Sequence, residues 1–197
     1  MIGFSWFIGL NVMKLSLPAI AIAAGTLFGL VPLGAHAADG TISISGTVTD
    51  STCSINGSAS GTPADKAVTL APVPTGSLSS SGEVAGTSSP ADLQLKLSGC
   101  SGTATKAVAR FENGPTVDQT NGYLSNSGTA QNVEVRLLNA QMQPINVTTG
   151  ANNDVSTDGA TITGGAATLQ YFAQYYATGV AAPGTVTSSV QYSMEYQ

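Results

Sequence analysis

The stretch Thr185-Val186-Thr187-Ser188-Ser189-Val190-Gln191-Tyr192-Ser193-Met194-Glu195-Tyr196-Gln197 alternates with a period of two. Val186, Val190, Tyr192, Met194 and Tyr196 share one face, and Thr187, Ser189, Gln191, Ser193, Glu195 and Gln197 take the other. Successive side chains of a strand point to opposite faces, so this pattern predicts a β-strand with one apolar side. A second clean pattern lies near the other end. Thr41-Ile42-Ser43-Ile44-Ser45-Gly46-Thr47-Val48 puts Ile42, Ile44, Gly46 and Val48 on one face, with only Ser and Thr opposite. Most domains leave their termini polar and loose, so two well-patterned ends are unusual.

The same alternation recurs in Leu93-Gln94-Leu95-Lys96-Leu97 and in Val133-Glu134-Val135-Arg136-Leu137. No segment of the exported part shows an apolar stripe at helical spacing over a helix's length. Turn clusters separate the strands, among them Pro72-Val73-Pro74-Thr75-Gly76, Glu112-Asn113-Gly114-Pro115 and Asn152-Asn153-Asp154. Short strands divided by turn signals predict an all-β antiparallel sandwich.

Charged residues make up only 9% of the chain, against about 25% in ordinary soluble domains. Six Lys and Arg face eleven Asp and Glu. So few cations build no basic stripe, which excludes nucleic-acid binding through phosphate neutralisation. Ser, Thr, Gly, Ala, Asn and Gln replace the charges, and these suit strands and turns.

Residues 1–37 read as a secretory signal peptide. Lys14 precedes an apolar run from Leu15 to Leu33, and Ala35-His36-Ala37 supplies the small-x-small cleavage pattern. The uncharged stretch before Met13 places the expected translation start at Met13. The competing reading is a membrane anchor, against which stand Pro18, Gly25, Gly29, Pro32 and the adjoining cleavage site. Trp6 and His36 both lie in this leader, so the exported chain has neither Trp nor His. That removes His-based triads, His general bases and His metal ligands together.

Cys53 and Cys100 are the two thiols of an exported chain, which predicts a disulfide. Closing a loop of about 48 residues is worth about 4 kcal/mol in the chain-entropy account. A reactive or metal-binding thiol pair is the alternative, but C-x-x-C spacing and a His partner are both missing.

Other motifs each have a plainer explanation. Asp154-x-Ser156-x-Asp158-Gly159 begins like a calcium loop, but Gly165 stands where a bidentate Glu belongs, which favours a polar turn. Asn56-Gly57-Ser58 and Asn146-Val147-Thr148 fit the glycosylation pattern, which arises easily by chance in a Ser/Thr-rich chain. Tyr171, Phe172, Tyr175 and Tyr176 could stack on a sugar, whereas alternation divides them between core and surface. The acids are scattered, with no marked pair for glycoside chemistry. No catalytic, cofactor-binding or metal-ligating residue is assigned, and none of these patterns predicts an enzyme.

Taken in order, these features resemble the fimbrial subunits (pilins) of the chaperone–usher pathway, most of all the type 1 major pilins. Gly40 to Val48 resembles the family's donor strand, followed by Cys53 at a similar distance. Leu93-x-Leu95-x-Leu97-x-x-Cys100 resembles the strand that ends in the second cysteine. Leu169-x-x-Phe172 and Gln174-Tyr175-Tyr176-Ala177-Thr178-Gly179 resemble the aromatic segment before the last strand, with approximate spacing. Gly184, fourteenth from the end, and the penultimate Tyr196 resemble the chaperone-recognition signature.

The resemblance implies an immunoglobulin-like sandwich lacking its last strand, completed by a donor strand from a neighbouring subunit. It implies a donor extension at 38–49, with Ile42, Ile44, Gly46 and Val48 facing the acceptor, and a pilin domain at 50–197. Gly46 would act as the register key, passing where the groove is too narrow for a side chain. The groove strand would carry Gly184, Val186, Val190, Tyr192, Met194 and Tyr196. Implied partners are like or homologous subunits, a periplasmic chaperone, an outer-membrane usher and, through the assembled fibre, a host-surface receptor. The implied location is the cell surface, reached through the periplasm. A minor adaptor or terminator subunit is the nearest alternative, and a free secreted carbohydrate-binding sandwich is an alternative of another class.

Overall fold

The computed structural model describes residue 43 and residues 52–197. The leader, Met13, Ile42, Ile44, Gly46 and Val48 lie outside the described residues. Among the described residues ten strands follow in order: β1 (Ser54–Ile55), β2 (Val84–Ala85), β3 (Gln94–Ser98), β4 (Lys106–Phe111), β5 (Val133–Leu138), β6 (Pro144–Ile145), β7 (Ala160–Thr161), β8 (Ala167–Gln170), β9 (Phe172–Ala177) and β10 (Tyr192–Tyr196). Among the described residues the helical structure is one 3-10 turn at Thr75–Leu78.

The strands form three antiparallel sheets, ordered β1-β3-β8, β10-β4-β7 and β2-β9-β5-β6. The alternating segments of β3 and β5 bury their apolar faces as their sequences predict, although Glu134 on the polar face of β5 is buried as well. In β3, Leu95 and Leu97 are buried while Lys96 and Ser98 are exposed. Val135 and Leu137 of β5 join Leu95, Leu169, Val108 and Phe111 in one core. Leu138, Ile145 and Val108 are the most completely enclosed large side chains among the described residues.

β8 and β9 are one run of chain that changes sheets at Tyr171, pairing first with β3 and then with β5. Tyr171 is 4% exposed and meets Phe111 edge-on, with ring centroids 5.1 Å apart. Its hydroxyl accepts a hydrogen bond from the Ala109 N–H at 2.9 Å. The Ala109 carbonyl accepts from Asn153 Nδ2, also at 2.9 Å. β7 pairs with β4 only at Lys106 and Ala107, so beyond it two side chains satisfy main-chain groups that no strand reaches.

The aromatic cluster is indeed divided. Tyr171 is in the core, while Tyr176 stacks edge-on against Tyr123, with centroids 4.8 Å apart. The sulfurs of Cys53 and Cys100 are joined in a disulfide, and Cys53 is buried in the main core.

Candidate functional site: an apolar groove along the last strand

β10 pairs with β4 over five residue pairs, from Tyr192 opposite Phe111 to Tyr196 opposite Ala107. Reciprocal hydrogen bonds join Gln197 with Lys106, and the Glu112 N–H donates to the Gln191 carbonyl. Odd-numbered residues of this segment therefore turn their main chain toward β4. The even-numbered residues turn theirs to the other edge, where β10 has no strand partner among the described residues.

The strand is shorter than the alternation predicts, since residues 186–191 continue it without a regular ladder. Their register is held by the turn at 126–130 instead. Ser127 N–H donates to the Thr187 carbonyl at 2.8 Å and Ala130 N–H to the Thr185 carbonyl at 3.0 Å. Asn126 Oδ1 accepts from both the Thr187 N–H and the Gly128 N–H at 2.8 Å. Gly184 sits tight against this turn, where an added Cβ would overlap the backbone of Thr129 and Ala130.

Beside the open edge runs a groove of about 1030 Å³. One wall is the segment from Val186 to Met194, and the other is the chain from Gly61 to Leu70. Leu95, Phe111, Val135 and Ala173 contribute to its lining between the walls. Val186, Val190, Tyr192 and Met194 line the groove, and all four, with Tyr196, pack on the core while remaining partly exposed. Ser188 interrupts that apolar face, and its buried hydroxyl has no hydrogen-bond partner among the described residues. Composition alone does not mark Ser188, although its place on the apolar face of the alternation is visible in the sequence.

The two walls touch through Tyr192, whose hydroxyl donates to the Ala64 carbonyl at 2.7 Å. Burial, and then the negative charge of Asp65, push the Tyr192 phenol above its ordinary range. Tyr196 is pushed up as well, mainly by burial. Both hydroxyls therefore keep their protons at neutral pH.

The calcium-like segment folds back on itself. Asp154 Oδ1 accepts from the Ser156 N–H at 2.8 Å and the Asp154 N–H donates to Asp158 Oδ2 at 2.8 Å. The Lys106 ammonium donates to the Ser156 carbonyl. The Ser156 side-chain and main-chain hydrogen bonds hold the Asp154 carboxyl below its usual range.

An antiparallel sandwich whose last strand has one edge without a strand partner among the described residues, and an apolar groove beside it, has the form of a strand acceptor. Comparison with known proteins gives that class its family. Residues 42–197 match the family model described as Fimbrial protein. The chain is 40% identical over 178 residues to the Major fimbrial subunit SMF-1 of Stenotrophomonas maltophilia (strain K279a), covering 86% of this chain and 99% of the relative. It is 38% identical to the F17 fimbrial protein of Escherichia coli, covering 84% of this chain and 94% of that one. Its fold is similar to the crystal structure of the P pilus rod subunit PapA, with a TM-score of 0.50 at 21% identity over 80% of this chain and 100% of the other. The chain belongs to the fimbrial protein family, as a subunit of the chaperone–usher type. Its sandwich is the incomplete immunoglobulin-like fold.

Proposed function

We propose that this chain is a structural subunit of an adhesive pilus that polymerises head-to-tail by donating its N-terminal strand to the next copy. The observation that carries this reading is the pairing of an open β10 edge with an apolar groove along it. Ile42, Ile44 and Val48 have the spacing to fill such a groove from a strand at 38–49, with Gly46 as the register key. Burying three such side chains is worth about 1.5–3 kcal/mol each before ordering costs. Donor and acceptor are different surfaces, so the contact is heterologous and extends into a filament.

On this reading residues 1–37 direct export and are removed, and 50–197 form the pilin domain. A periplasmic chaperone occupies the groove through the strand that carries Gly184, Val186, Val190, Tyr192, Met194 and Tyr196. An outer-membrane usher then exchanges chaperone for donor, and the fibre stands on the cell surface. The role is structural and requires no catalytic residue.

Deletion of residues 38–48 tests the assignment. The truncated chain should still accept a donor strand but form no filaments by electron microscopy. Normal homopolymers from it would overturn the donor assignment.

A further inference from the structure

The groove walls differ in how their main chains are satisfied. Odd residues of the 185–197 wall bond to β4 and to the turn at 126–130. The opposite wall is different: among the described residues, no main-chain group of 63–73 makes a main-chain hydrogen bond. Its Ala64 carbonyl is instead capped from across the groove by the Tyr192 hydroxyl at 2.7 Å. The root of that ring is fixed, because Tyr192 is held opposite Phe111 in the β10–β4 ladder. The phenol thus reaches from a fixed strand to a wall that has no ladder of its own.

We infer that Tyr192 is a positioning residue that holds the empty groove closed at Ala64, and that donor-strand uptake requires this tie to be released. The inference rests on the strand-acceptor reading of the groove. A strand entering along the free edge of β10 brings a row of main-chain N–H groups to the facing wall. One of them replaces the phenol at the Ala64 carbonyl, so the acceptor is satisfied both before and after uptake. The phenol is a protonated donor throughout neutral pH, its ionisation being opposed by burial and by Asp65. Tyr192 therefore stabilises the empty state selectively, which slows uptake.

Tyr192→Phe removes the hydroxyl and keeps the ring. Purified full-length chain, wild type or variant, is mixed with a fluorescent peptide of residues 38–48, and association is followed by anisotropy. The variant should take up the peptide faster and more tightly, by roughly 2- to 10-fold, the range of one net hydrogen bond. The empty variant should melt below the empty wild type, with the difference vanishing once peptide is bound. A purely packing role would lower both states and would weaken, not tighten, the complex. Tyr192→Met, which also lacks the hydroxyl, must move affinity in the same direction. Equal or weaker binding by both variants overturns the tie. Failure of the wild type and both variants to bind any peptide overturns the groove reading instead.

Discussion

Gly184 passes so close to Ala130 that an added Cβ would lie 2.7 Å from the Ala130 Cα and closer still to its backbone nitrogen. The neighbouring atoms are main chain, which cannot swing away as a flexible side chain can. This glycine therefore has a steric task inside the subunit, at the end of the groove wall that the 126–130 turn secures. Gly184→Ala should cost about 1–3 kcal/mol of folding stability, the usual range for overpacking. Denaturant unfolding of the peptide-complemented chain, with no chaperone present, checks it. An unchanged midpoint would overturn this steric task.

The Tyr171 hydroxyl is a main-chain partner. It accepts from Ala109, whose backbone is fully enclosed in β4. Tyr171→Phe keeps the edge-on packing against Phe111 but leaves that N–H buried and unpaired. Such an orphaned group costs about 1–3 kcal/mol. Equilibrium unfolding of the variant should show a loss in this range, with the m-value unchanged.

Glu134 is 8% exposed, although the alternation of β5 places it on the polar face. Its carboxylate accepts from Asn121 Nδ2 at 2.7 Å. Burial foremost, aided by the nearby Asp118 carboxyl, raises its pKa above 4.5. A raised carboxyl pKa means that the folded chain holds this proton to higher pH than the unfolded chain does. The associated stability is complete below the ordinary Glu range and is lost as pH rises through the raised value. Glu134→Gln keeps an acceptor for Asn121 without the buried charge. It should raise the melting temperature at pH 7, and the gain should shrink to nothing by about pH 4. A gain of equal size at both pH values would refute the titration account.

Much of the fold is legible because its strands alternate. Leu95, Leu97, Val135 and Leu137 lie inside as their spacing demands. The aromatic face of residues 192–196 is likewise the face that packs on the core. β4 is harder to read: in Lys106–Phe111, Ala107, Val108 and Ala109 are all buried, so period-two alternation disappears. Small alanines, which have low strand propensity, hide it further. The groove was half legible. Its 186–194 wall follows from the alternation, whereas the 61–70 wall has no strand pattern and is placed by tertiary packing. The Tyr192–Ala64 contact joins residues far apart in the chain through a carbonyl, and no side-chain motif announces a carbonyl.

The Cys53–Cys100 bridge takes on another meaning in a fibre under tension. On the strand-donation reading proposed above, a pull on the chain before Cys53 crosses the bridge directly to Cys100. On the same reading it runs from there into β4 and across the five-pair ladder to β10. The bridge closes the chain between the two cysteines into a covalent loop, which cannot be paid out while the bridge is intact. Extension is then confined to the residues after Cys100, and a reduced fibre should lengthen further before it breaks.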